Sequence, residues 1–301
     1  MQGFINSIFF VCIPCMTCIK FRDTPTDTIT DILVNDGKIY VSSWDGFVYV
    51  YDFYTQILLY KIKNFSPILK MLWKNNLVCG DTEGFLNFEN SNTKSFDKIN
   101  FNFRGISTIE TYKDAFLLCG FQKRVCIFDR SGQCTFFNVE NKVYNSILSD
   151  NDLILNFGFK IGFYDLRTLK IYKEVVNKKI IRSLYKNADK LYIGDIEGKL
   201  KILNIFTNDE IIVNAHCEIL NNTKKCYPVN SIIYNNYLYT GGSDGIVSRW
   251  KEEDKLKSKM FFKNNRGVLK ITSYNDKLII GCGYNYERGR ANTDENFIFM
   301  L

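Results

Sequence analysis

The chain has 301 residues, 46% hydrophobic and 24% charged, a balance that excludes a largely disordered polymer. Its formal charge of +7 suits an acidic partner but falls short of a dedicated nucleic-acid binder. A lone histidine, His216, excludes multi-histidine metal sites, while 25 Phe and 18 Tyr beside only 4 Pro favour strands.

The chain opens on an uncharged run, residues 3–19. That run is short for a membrane span and lacks the basic start of a secretory signal. It carries C-x-x-C-x-x-C at Cys12, Cys15 and Cys18, but no fourth ligand follows at motif spacing, so no metal site is expected. Residues 1–15 are expected to stand outside the fold, either as a greasy tail or as residues ahead of a true start at Met16, the second being favoured. Residues 16–301 are expected to form one domain. A chain of this size buries its own core without staples, so its ten cysteines point to an intracellular, reduced protein. Cys79, Cys119 and Cys282 lie inside apolar runs and read as small buried hydrophobes.

From Ile29 onward one phrase recurs: apolar residues, a polar turn, an apolar run, then usually Gly. It starts at Ile29, Ile68, Ile106, Val143, Ile180, Val229 and Val268. Turn pairs such as Asp36-Gly37, Asn75-Asn76 and Asn275-Asp276 make each copy a tight hairpin. A second phrase follows in six copies, as in DGFVYVYD closing at Asp52 and DGIVSRWK closing at Lys251, with the alternation of a strand. Units of about 40 residues with four strands each are the blades of a WD-repeat β-propeller. The predicted fold is therefore all-β: seven blades, one domain, closed by both termini. FIFML at the C-terminus and residues 17–21 are the expected closing strands. The turn aspartates read as hydrogen-bond acceptors and not as catalytic acids, since they recur with the repeat.

No P-loop, G-x-S-x-G, H-E-x-x-H or kinase signature is present, and carboxylates do not pair. His216 and Cys217 are neighbours on the chain and face opposite ways on a strand, which defeats a Cys–His couple and leaves a structural or partner-contacting histidine. The sequence thus reads as non-enzymatic, with no catalytic residues, cofactor or metal.

Several segments go beyond repeat grammar: PTDTITDIL with YVSSWDGFVYVYD (residues 25–52), NKVYNSILSDNDLIL with FYDLR (141–167), IGDIEGKL (193–200), HCEILNNTKKCYPVNSIIYNNYLYTGGSDGIVSRW (216–250) and GYNYERGRANTDENFIFML (283–301). In these the chain resembles the Bub-type mitotic checkpoint WD-repeat propellers, partners of the Bub kinases. The match includes non-repetitive insertions such as Y-P-V-N before T-G-G-S-D-G. A related family, the Rae/Gle-type messenger-RNA export propellers, typically has Y-A-V-N and T-V-G-S-D-G there.

The resemblance implies a spindle assembly checkpoint adaptor in the nucleus and at kinetochores, with a cytoplasmic interphase pool open. It would bind a GLEBS peptide of a checkpoint kinase or kinase-like protein, and phosphorylated MELT repeats of a kinetochore scaffold, as a monomer within a hetero-complex. Neither DNA nor membrane is an implied partner. The alternatives are a nuclear-pore adaptor for messenger-RNA export, binding a GLEBS nucleoporin, and a subunit of an enzyme complex. Carried over by position, Trp44, Phe121 and Arg182 are implied peptide contacts, Phe121 standing where the family has Trp. Lys199 stands at a phosphate-contacting Arg, keeping the charge without the bidentate fork. Asn214 stands where a second cation is expected and Cys217 where the family has Arg, so phosphate reading would lean on Lys224, Lys225 or Arg249. Without the resemblance, Trp44 equally suits a blade-packing aromatic, and Arg182 and Lys199 ordinary solvated charges.

Overall fold

In the computed structural model the described residues are 18–129, 131–251, 256–284 and 295–301. Residues 1–15, including Cys12 and Cys15, lie outside them, as does the expectation placed on that segment. The described residues form strands and turns, with no helix among them. Seven four-stranded antiparallel sheets follow one another round a ring, with one extra two-stranded hairpin, Cys217–Leu220 with Thr223–Cys226.

Blade 1 shows how a repeat folds. Ile29–Asn35 and Lys38–Ser43 form the inner hairpin, followed by Phe47–Asp52 and the outermost strand Leu58–Lys63. Asp36 and Gly37 both take positive φ, 45° and 68°, the type I′ geometry whose twist matches a two-residue hairpin. Val48, Tyr49, Val50 and Tyr51 are all buried, because a third strand is covered on both faces by neighbouring blades. The outermost strand has solvent on one side and alternates.

The core is divided into seven clusters, each of which joins two adjacent blades. Tyr40, Val48 and Ile62 of blade 1, for example, pack on Ile68, Met71, Leu77 and Cys79 of blade 2. Cys79, Cys119 and Cys282 are fully buried in such clusters, as their apolar runs imply. No blade has a core of its own, so the ring must close. Ile19–Lys20 pairs with Phe297–Met300, which pairs with Lys277–Gly283 and then Gly267–Tyr274. Phe21, Ile298 and Met300 then join Ile29, Ile32 and Tyr51 in the cluster between blades 7 and 1. Both closing strands expected from the sequence are in place.

The turn aspartates accept hydrogen bonds. Asp81 Oδ1 takes the N–H groups of Glu83 and Phe85, and its Oδ2 takes Ser66 Oγ and the amides of Asn64 and Asn87. In blade 6 the same role draws in the lone histidine. His216 is 1% exposed, with Nδ1 at 3.0 Å from Asp244 Oδ1 and Nε2 at 2.9 Å from Thr240 Oγ1. Trp250 Nε1–H donates to the same Thr240 oxygen at 3.0 Å. The histidine is structural, and both ring nitrogens are engaged. Gly198, whose carbonyl accepts the Ala215 and His216 N–H groups, has φ +72° and would place a Cβ 2.4 Å from the His216 carbonyl, so only glycine fits.

Candidate functional site

The innermost strands of the seven blades stand side by side around the central channel. Six of them carry the same irregularity one residue in. Register shifts between Ile29 and Asp31, Ile68 and Lys70, Ile106 and Thr108, Ile181 and Ser183, Val229 and Ser231, and Val268 and Lys270. A β-bulge leaves one residue outside the ladder and re-aims its side chain. The bulged residues Thr30, Leu69, Ser107, Arg182, Asn230 and Leu269 all line one basin of about 470 Å³. Its polar wall is tied across blades: Thr30 Oγ1–H donates to the Ile68 carbonyl at 2.6 Å, Ser107 Oγ–H to Val143 at 2.6 Å, and Asn230 Nδ2–H to Val268 at 2.9 Å.

The aromatic wall comes from the residue just after each second strand. Trp44 follows Lys38–Ser43, and Phe121 follows Ala115–Gly120. The Trp44 N–H donates to the Thr28 carbonyl at 3.0 Å and the Phe121 N–H to Gly105 at 3.4 Å. The two residues thus hold equivalent positions two blades apart. Trp44 is 45% exposed, which excludes a blade-packing role. Phe121 leans on Tyr144, with ring centroids 5.9 Å apart, and Tyr144 joins it in the basin. Arg182 reaches toward Asn230, Nη2 to Oδ1 at 3.5 Å, and Asn230 is held by Ser243 Oγ at 2.8 Å.

Three of the four candidate residues, Trp44, Phe121 and Arg182, therefore line one cavity although they come from blades 1, 3 and 5. Lys199 does not join them. It lies in a separate cleft of about 380 Å³ with Lys178, Lys179, Lys201, Val176 and Ile212, between the outer parts of blades 4 and 5. Glu197 pairs with Lys179 at 2.5 Å and with Lys199 at 3.6 Å. Asn214 sits directly opposite Lys199 in register, and Lys224 Nζ donates to Asn214 Oδ1 at 2.9 Å. Of the cations named from sequence, Lys224 stands at the vacated position. Lys225 lies over the Tyr227 ring, and Arg249 over the rings of Tyr237 and Phe261.

One residue beyond the bulges lies a charged cluster that the sequence did not single out. Asp31, 2% exposed, meets Lys70 Nζ at 3.0 Å and Lys270 Nζ at 2.9 Å, and accepts the Met71 N–H at 3.0 Å. Burial alone would raise the Asp31 carboxyl. The ammonium groups of Lys270 and Lys70 outweigh burial and hold it well below the usual carboxylate range. Nearby, Glu110 accepts from Ser146 Oγ at 2.8 Å, and burial raises its carboxyl. Asp31 so links blades 2, 1 and 7 across the point of ring closure. Among the described residues no group of three or more His, Cys, Asp or Glu is placed to hold a metal, and no helix is long and apolar enough to cross a membrane.

Bulged inner strands opening on an aromatic-and-arginine basin define a seven-bladed β-propeller of the WD-repeat type. Solved structures of U3-55K and of the RRP9 WD40 repeats are similar to it, each with a TM-score of 0.80 at 12% identity. They cover 94% and 97% of this chain, and 98% and 99% of their own. No family model matches the chain. In sequence it is 21% identical to the mitotic checkpoint protein BUB3.1 of Arabidopsis thaliana over 312 residues, spanning 93% of this chain and 91% of that protein. The chain is consistent with a Bub3-type WD-repeat protein.

Proposed function

We propose that the protein is a non-enzymatic adaptor of the mitotic checkpoint, acting in the nucleus and at kinetochores. It holds a GLEBS-type peptide of a checkpoint kinase or kinase-like protein in the basin at the mouth of its channel. The observation that carries this is the meeting of Trp44, Phe121 and Arg182 in one cavity. A rigid aromatic pair beside an arginine is the composition of a binding hot spot, and Arg182 supplies the cation that an acidic peptide needs. The likeness to a checkpoint protein over 93% of this chain supports the mitotic process. The net charge of +7 favours encounter with such a peptide.

The same adaptor would recruit its partner to phosphorylated MELT-type repeats through the second cleft. Lys199 is the phosphate contact, and Lys224, resting on Asn214, supplies the second cation. Two lysines offer point charges where arginine would offer a fork, so this contact is weak and salt-sensitive.

Affinity capture of the tagged protein from mitotic cells, followed by mass spectrometry, tests the reading. A Bub-type kinase with a GLEBS segment, enriched in mitosis, is the expected partner. Recovery of a GLEBS nucleoporin in its place would assign the propeller to messenger-RNA export, and recovery of neither would remove the adaptor role.

A further inference from the structure

We propose that Cys217 and Cys226 are a modification site, placed to form a reversible disulfide across the base of one hairpin. The proposal stands apart from the basin and does not depend on what the basin binds.

The hairpin joins Cys217–Leu220 to Thr223–Cys226 through Asn221 and Asn222. Both asparagines take positive φ, 47° and 60°, so the connection is a two-residue type I′ turn and the register is fixed. Leu220 faces Thr223, Ile219 faces Lys224, Glu218 faces Lys225 and Cys217 faces Cys226. In an antiparallel pair, hydrogen-bonded and non-hydrogen-bonded positions alternate. The pair flanking a two-residue turn is hydrogen-bonded, which makes Cys217 and Cys226 a non-hydrogen-bonded pair. Such pairs hold their Cα atoms about 4.5 Å apart, inside the span of roughly 4.4–6.8 Å that a disulfide accepts. The two thiols lie close enough to act on each other. Both cysteines are partly exposed, so a small oxidant reaches them.

Blade 3 supplies the contrast. The thiols of Cys126 and Cys134 also meet across neighbouring strands. There, however, Cys126 faces Phe136 and Cys134 faces Phe128, so the cysteines are diagonal. Diagonal Cα atoms lie about 7–8 Å apart, beyond what a disulfide bridges without moving the backbone. Contact between thiols is common to both pairs, and only the hairpin pair has the register for a bond.

The oxidant is a low-molecular-weight disulfide of the glutathione class. The Cys217 S–H is engaged by the Glu197 carbonyl at 3.4 Å, and burial pushes that thiol up, so Cys217 is the later of the two to attack. The Cys226 thiolate, its proton lost to water, attacks one sulfur of the oxidant. A mixed disulfide forms and one glutathione thiolate leaves. Cys217 then attacks the Cys226 sulfur, forming the internal bond and expelling the second thiolate. The two protons shed by the cysteines finish on the two released thiols. The protein loses two hydrogens and the oxidant is reduced to two thiols. The Cys217 hydrogen bond to the Glu197 carbonyl, at 3.4 Å, is given up. The hairpin that carries Lys224 and Lys225 is then closed at its base.

The test uses the full chain equilibrated in glutathione buffers from fully reduced to fully oxidised. Samples are quenched in acid, alkylated with N-ethylmaleimide, digested and read by mass spectrometry. The expected result is a linked peptide pair containing Cys217 and Cys226 that accumulates with oxidised glutathione and vanishes with dithiothreitol, while Cys126 and Cys134 remain unlinked to each other. The Cys217→Ser variant, lacking the second thiol, is expected to stop at a Cys226–glutathione adduct. Alkylation of both cysteines in every buffer would overturn the proposal. So would the same stalled adduct in the unmodified chain.

Discussion

Among single side chains, those with the largest expected effect on stability are in the channel. Asp31 is the shared counter-charge of Lys70 and Lys270, and Asp31→Asn leaves two ammonium groups facing each other. Breaking a fully buried pair costs roughly 3–5 kcal/mol. Both lysines keep 32% of their side-chain surface, so solvent screens part of the repulsion. A loss of about 2 kcal/mol is expected, discounted in this way from the buried-pair range. Its pH dependence has a definite sign. A carboxyl held low in the folded state adds stability above the ordinary carboxylate range of about 4, and that stability drains away as pH falls toward the depressed value. Thermal melts of both proteins at neutral pH and near pH 3 are expected to differ widely at the first and to have only begun to narrow at the second, because the gap closes fully only at the depressed value. Nothing in the sequence set Asp31 apart, because its partners belong to blades 2 and 7 and meet it only through ring closure. Trp44 and Arg182 were legible through the resemblance. What placed them in one basin is the bulge at Arg182 and the loop position of Trp44, and neither is visible in an alternation of apolar residues.

Local elements divide by how much apolar pattern they carry. The inner hairpins were readable because two buried strands flank a turn, as at Asp36-Gly37 and Asn275-Asp276. The outermost strands were not. Ser95–Asn100 reads SFDKIN and Cys134–Asn138 reads CTFFN, and both are largely exposed, so their polar faces resemble loops. The apolar pattern does not mark the hairpin at Cys217–Cys226 for the same reason, although Asn221-Asn222 is hairpin chemistry. That hairpin brings Lys224 to Asn214, and the consequence is measurable. In fluorescence anisotropy with a phosphorylated MELT-type peptide, Lys199→Ala and Lys224→Ala are each expected to weaken binding about threefold to tenfold, less at high salt. An unchanged affinity in Lys224→Ala would confine phosphate reading to Lys199. Blade 6 depends on a different element, the loop that delivers His216. Thr240→Val removes the hydroxyl shared by His216 and Trp250 and strands two buried polar groups, the Trp250 indole N–H and the His216 Nε2. Urea unfolding is expected to show a loss of about 2–3 kcal/mol, the cost of unsatisfied buried polar groups.

Taken as a ring, the protein has no independent part, because every core cluster spans two blades. Deleting residues 297–301 removes a strand from blade 7 and uncovers the cluster shared with blade 1. Calorimetry is expected to show the loss of the single cooperative transition, whereas a soluble variant with an unchanged melting point would contradict ring closure. A chain starting at Met16 is expected to melt with the full chain, since the closing strand begins at Ile19. The closed ring also explains the function proposed for it: six bulged strands converge on one mouth, so residues far apart in sequence act as one surface. Isothermal titration with a GLEBS-type peptide probes that surface without intermediaries. The unmodified protein is expected to bind one peptide. Trp44→Ala and Arg182→Ala are each expected to lose about 2 kcal/mol of affinity, roughly thirtyfold, with unchanged melting points, as exposed hot-spot residues do. Absence of binding, or equal binding by both variants, would contradict the assignment of this basin to the partner peptide.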